Sequence, residues 1–158
     1  MIYFNYKGII IEVETELEMR KYRDSWNHYK TLIDRKNIVT VQFSNFTIGK
    51  NNLYELAMVK STLTFFIQAY WKRRSKEGTK IPLSTSLEHK LMAVSQELSF
   101  NARQKNSIYS LEISLAENGH QSMCIYLSAQ EVMMLEIAIS KAIALLPPDA
   151  SYINVNFE

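Results

Sequence analysis

The chain has 158 residues, enough to bury a core as a single domain, with 1–76 and 77–158 as two tightly joined halves at most. Its 47% apolar content excludes disorder, and only four glycines and three prolines argue against a loop-rich fold. The net charge of +2 hides an asymmetry, because residues 1–80 carry 14 Lys and Arg against 8 Asp and Glu, whereas residues 81–158 carry 4 against 8. A polyanion is therefore sought on the first half. The commoner meaning of such a bias is a solvated face that is merely rich in lysine. A lone cysteine, Cys124, excludes an internal disulfide and fits either a reducing compartment or mere disuse of cysteine. The start of the chain lacks the pattern of a secretory signal. The longest mostly apolar run, Leu63–Trp71, is too short to span a bilayer. A soluble, cytoplasmic protein with no membrane partner is expected.

In chain order, Met1–Tyr6 and Ile9–Glu14 read as a hairpin around Lys7-Gly8. The run Ile9-Ile10-Ile11 suits a strand covered on both faces. Thr15–Lys36 supports two readings. Thr15 with Glu18 has the form of a capping box, and Met19, Tyr22, Trp26, Tyr29 and Ile33 make a helical stripe, which favours a helix. The same aromatics and interspersed cations would also suit twisted strands. Ile38–Ile48 alternates as a strand, with a break near Ser44-Asn45. Asn52 and Glu55 then open a helix through Leu56, Val59, Leu63, Phe66, Ile67 and Tyr70, ending in Trp71-Lys72-Arg73-Arg74. Cations there oppose the negative end of the helix dipole.

Ser75–Ser86 is the best boundary. Ser86–Leu98 shows helical spacing in Leu87, Leu91, Val94 and Leu98, with a strand left open as the alternative, and Ala102–Asn106 is polar and basic. Ile108–Ala116 and Ser122–Leu127 are strands around Asn118-Gly119, a strong hairpin signal because both residues tolerate positive φ. Ser128–Leu146 is an apolar helix with a capping box, Ser128 with Glu131, stopped by Pro147-Pro148. Tyr152–Phe157 reads as a last strand.

Slid along the sequence, the two long helices superpose: Asn52 falls on Ser128, Leu56 on Val132, Leu63 on Ile139 and Phe66 on Ala142. The expected class is α+β: antiparallel strands with two long apolar helices, and two repeated strand-strand-helix halves as one way to arrange them. Any two capped amphipathic helices can also be slid into such a register.

Ser110–Pro148, SLEISLAENGHQSMCIYLSAQEVMMLEIAISKAIALLPP, follows the order strand, turn, strand, apolar helix. Over this quarter of the chain it resembles the Whirly and positive cofactor four superfamily of single-strand nucleic-acid-binding proteins. The resemblance implies strands as the nucleic-acid surface and helices as the contact of a homo-oligomer. Val132, Leu135, Ile139, Ile143, Leu63 and Phe66 are the candidate oligomer contacts.

Chemistry is sparse. His28, His89 and His120 are far apart, and no metal-ligand spacing joins them, so neither a metal nor another cofactor is expected. Gly8, Gly49, Gly78 and Gly119 are isolated and build no phosphate loop. Cys124 reads as a buried, inert thiol among apolar neighbours. Glu12, Glu14, Glu16 and Glu18 would share one face of a strand, usually a wet one. An enzyme is disfavoured. The pattern with the best physical case is Arg20, Lys21, Tyr22, Arg23, Trp26, Tyr29 and Lys30, which mixes rings for base stacking with cations for phosphates. The commoner use of that pattern is the buried stripe of an amphipathic helix with its charges in water. Single-strand nucleic-acid binding is the leading expectation; the alternative is a protein-interaction module such as an adaptor, a chaperone or an immunity-type partner.

Overall fold

A computed structural model describes residues 1–23, 29–48, 50–75, 88–93, 95–105 and 108–147. Each half begins with a four-stranded antiparallel sheet. The first contains β1 (Ile2–Tyr6), β2 (Ile9–Arg23), β3 (Tyr29–Phe43) and β4 (Phe46–Ile48), in that spatial order, and is followed by α1 (Leu53–Ser75). The second contains β5 (Glu88–Ala93), β6 (Gln96–Lys105), β7 (Ile108–Glu117) and β8 (His120–Ser128), again in order, followed by α2 (Ala129–Ala144). The α+β class with two long helices stands, but each helix follows four strands rather than two.

Local chemistry explains the turns. Lys7-Gly8 and Asn118-Gly119 have φ of 50° and 81°, and of 50° and 82°, the left-handed pair that a two-residue hairpin requires. Ser44, at φ 56°, reverses the chain, so the expected break at Ser44-Asn45 is a full hairpin that pairs Val41 with Ile48. Asn51 then extends the ladder irregularly. Its backbone N–H donates to the Val39 carbonyl at 3.2 Å, and its side-chain oxygen accepts the Val39 N–H at 2.8 Å.

Alternation places the core. Ile9, Ile11 and Val13 on β2 and Val39, Val41 and Phe43 on β3 are buried, as are Leu98 and Phe100 on β6 and Leu111, Ile113 and Leu115 on β7. Phe43 meets Phe100 edge to face at 5.7 Å, joining the two sheets. The helices pack against each other and close the same buried cluster. The halves also interlock. Phe66 of α1 stacks on Tyr109 of β7 at 4.7 Å, and Asn37 of β3 donates to the Leu145 carbonyl beyond α2 at 3.1 Å.

The register that sets Asn52 on Ser128 holds at the helix starts, Leu53 and Ala129. It also holds for burial: Leu56, Val59, Thr62, Leu63 and Phe66 are buried on α1, and Val132, Leu135, Ala138, Ile139 and Ala142 on α2. Both caps form. Asn52 accepts the Glu55 N–H at 3.1 Å, and Ser128 and Glu131 make both bonds of a capping box.

Two helical expectations fail. Residues 15–23 and 29–36 belong to β2 and β3, not to a helix, and the Thr15 hydroxyl, instead of capping, reaches Asn37 Oδ1 at 3.4 Å. The ladder started in the core by Ile9–Val13 propagates outward, and each further pair extends an existing sheet without a new nucleus. Ser86–Leu98 likewise contains β5 and the start of β6. Leu91 and Leu98, at helical spacing in the sequence, become cross-strand partners. The run Ala102–Lys105 continues β6. Val94, most of Ser75–Ser86 and the expected strand Tyr152–Phe157 lie outside the described residues.

Candidate nucleic-acid interface

β2 and β3, of 15 residues each, pair along their whole length, from Ile9 opposite Phe43 to Arg23 opposite Tyr29. β1 follows β2 only as far as Glu12, with Met1 bonded to Val13, and β4 covers only Val41–Phe43. From Glu14–Ile38 outward, among the described residues, no further strand pairs with the ladder, and Asn51 and the Leu145 carbonyl both bond to Asn37. The rest is a two-stranded ribbon that ends at the Arg23–Tyr29 pair. At ~3.3 Å per residue it reaches roughly 30 Å beyond the sheet. Leu17, 66% exposed, shows that its base has already left the core.

Charge shifts along the ribbon, from mixed at the base, where Lys36 stands opposite Glu16 and Arg35 opposite Leu17, to basic at the outer end. Its base carries Glu12, Glu14 and Glu16 on one face of β2. A hydrogen bond with Glu14, then its charge, pushes the Glu12 carboxyl up. The outer end carries the sequence-picked cations and rings. The register sets Arg20 opposite Leu32, Lys21 opposite Thr31, Tyr22 opposite Lys30 and Arg23 opposite Tyr29. The last two pairs each join a tyrosine position to a cation position. The fold thus brings together six of the seven picked residues, which a helix would have spread over about three turns; Trp26 lies outside the described residues.

The other picked set is placed differently. Val132, Leu135, Ile139, Leu63 and Phe66 are fully buried within the single chain, and Ile143 packs partly buried against them. In this packing their surface is already covered within the chain's own core. The apolar helix residues open to solvent include Tyr54, Phe65, Met134 and Ile137. They stand off the core stripe, and that offset was their only signal in the sequence.

Cys124 is exposed, not buried. Leu127 is buried, which fixes the alternation of β8 and sends Cys124 to the open face opposite Ser114, beside the exposed Tyr126. Of the histidines, His89 lies in β5 and His120 opens β8, in the second sheet, while His28 lies outside the described residues. Among the described residues no three His, Cys, Asp or Glu side chains cluster as a metal would need, and no helix is long and apolar enough to cross a membrane.

The opposite end of the first sheet is tied down by charge. Lys7 Nζ donates to the Tyr126 carbonyl at 2.9 Å and lies 3.3 Å from Glu131. Burial pushes the Glu131 carboxyl up, but bonds from the Ser128 backbone, Tyr6, Lys7 and the Ser128 hydroxyl outweigh it and hold it at about 2. At the turn of β3 and β4, Asn45 donates to Glu117, and Gln96 donates to both, at 3.3 and 3.1 Å. These contacts anchor the sheet from which the ribbon projects.

The class these features define is an α+β chain of two antiparallel four-stranded sheets and two helices, with one hairpin prolonged into a basic, tyrosine-bearing arm. No family model matches the sequence, and no curated protein matches it. Among solved structures it is similar to WHY1 from Arabidopsis thaliana, at 7% identity and a TM-score of 0.35, over 96% of this chain and 86% of that one. An overlap this loose carries no argument about ligand or assembly.

Proposed function

We propose that the chain binds single-stranded nucleic acid through the outer end of the β2–β3 ribbon. The observation that carries this reading is the juxtaposition of Arg20, Lys21, Tyr22 and Arg23 with Tyr29 and Lys30 in consecutive register pairs. Cations that track phosphates beside rings that stack on bases make a sequence-tolerant single-strand site.

The test is anisotropy of labelled single-stranded DNA and RNA, titrated with salt. Binding at low salt that weakens steeply as salt rises is expected. Replacing Arg20, Lys21, Arg23 and Lys30 together with alanine should flatten log K against log salt by about 1.4 for a strand bound on one face of the ribbon, since the Arg20 and Lys30 positions share one face, Lys21 and Arg23 the other, and each single-strand phosphate contact contributes roughly 0.7. No binding to either nucleic acid at low salt would sink the proposal.

A second reading rests on Tyr54, Phe65, Met134 and Ile137, apolar residues left open on the helices. They suit a protein partner of the adaptor, chaperone or immunity type. Stoichiometric co-purification of one protein, lost on Phe65→Glu and Ile137→Glu and without nucleic-acid affinity, would favour it.

A further inference from the structure

The ribbon has a feature that nucleic-acid binding does not require: the backbone edge of β2 beyond β1 faces outward. Val13 donates its N–H to the Met1 carbonyl at 2.9 Å, and its carbonyl accepts the Met1 amino group at 2.7 Å. Both backbone groups of Val13 therefore point away from β3. Antiparallel pairing repeats that direction at every second residue, so Thr15, Leu17, Met19, Lys21 and Arg23 direct their N–H and C=O groups outward. Among the described residues no strand pairs with that edge. The window runs from Thr15 to Arg23 and is centred on Met19.

The charges nearest the centre of that window are self-complementary. Glu14, Glu16 and Glu18 precede Arg20, Lys21 and Arg23. If two copies of β2 pair antiparallel about Met19, Glu18 of each falls opposite Arg20 of the other, and every outward-directed position in the window finds a partner. A shift of the centre to Glu18 would set Glu18 against itself, and a shift to Arg20 would do the same for Arg20. Within one ribbon, moreover, the register sets the Glu18 position opposite Asp34, so a cation position brought alongside from a second copy is favoured there.

We infer that a second copy of this chain docks on the β2 edge, joining two ribbons into a four-stranded antiparallel sheet across a two-fold axis at Met19. This goes beyond the nucleic-acid reading: it uses the backbone edge of β2 with the Glu18 and Arg20 positions, and leaves Lys21, Tyr22, Arg23, Tyr29 and Lys30 to a ligand. Such strand addition draws affinity from main-chain hydrogen bonds and register from the charges.

The test is the mass in solution of the full chain by sedimentation or light scattering. A dimer is expected. Met19→Pro removes an outward N–H without touching the pairing to β3, and should give a monomer. Glu18→Arg and Arg20→Glu should each raise the dimer dissociation constant about tenfold or more, and the two together should restore it. A wild-type monomer would overturn the inference. So would a dimer indifferent to Met19→Pro and to both single reversals, the result expected if the helices were the contact. Circular dichroism of each variant separates loss of dimer from loss of fold, and nucleic-acid binding is measured independently.

Discussion

The two halves share an element order and a helix-burial pattern in which Leu63 corresponds to Ile139, yet their central hairpins differ. The first half pairs β2 with β3 from Ile9 out to Arg23, whereas the second pairs β6 with β7 only from Gln96 to Lys105. In the second half the hairpin stays flanked: β8 accompanies β7 from Glu117 to Ser110, and β5 accompanies β6 from Gln96 to Asn101. In the first half the flanking strands stop early and the hairpin runs on alone. The shared positions build one core, and the surplus length of one hairpin carries the charge and rings that point to a ligand. A fold can thus keep its packing constraints in one set of residues and put its recognition where packing no longer constrains the chain.

The largest test of the comparison is in the core. Leu63→Ala and Ile139→Ala occupy equivalent positions, and each should cost about 2–5 kcal/mol. Urea unfolding followed by circular dichroism should show one transition lowered by both. Two separable transitions would mean that the halves are independent units. Next comes Asn51→Ala, which leaves the buried Val39 N–H without its partner and should cost about 1–3 kcal/mol by the same measurement. The equivalent position in the second half is Leu127, a regular strand residue, so only the first half should be sensitive to an amide here.

Smaller effects separate the caps. Ser128→Ala should cost about 1 kcal/mol, and Asn52→Ala somewhat less, because only Ser128 is seen in a reciprocal box. An equal cost would remove that distinction between the helices. A further effect is confined to acid. Glu131 is held at about 2, below its ordinary 4.5. Its contribution is therefore present above pH 4.5 and fades as pH falls toward 2. Glu131→Gln should flatten that part of the stability-pH curve, and an unchanged curve would count against the Lys7–Glu131 tie. As the control for the arm, Arg103→Ala with Lys105→Ala on the shorter β6–β7 hairpin should leave the salt dependence of oligonucleotide binding unchanged.

Much of the framework was legible because its signals are local. Asn118-Gly119, the Ser128–Glu131 box and the stripe from Leu56 to Phe66 each depend on residues within a few positions of one another. Thr15–Lys36 was misread because Met19, Tyr22, Trp26, Tyr29 and Ile33 satisfy a helical period while the backbone follows a ladder begun at Ile9. Leu91 and Leu98 misled for the same reason: their separation is about two helical turns, and it is also the span of a tight hairpin. Cys124 was read from its apolar neighbours, but in a strand neighbours lie on opposite faces. Apolarity alone cannot say whether a helix face meets its own chain or another, and the stripe holding Leu63 and Ile139 is covered within the chain.

By itself, then, the sequence determined the two helices, their caps, the hairpin turns at Lys7-Gly8 and Asn118-Gly119 and the correspondence of the two buried helix faces, all set by short-range spacing and turn chemistry. The tertiary structure decided that Thr15–Arg23 and Tyr29–Lys36 form a ribbon, that its cation and tyrosine positions fall at one end, and that the apolar helix stripes close on a common core. Those outcomes depend on which distant strand supplies the partner for each backbone N–H and C=O, and that pairing is energetic information spread over the whole chain.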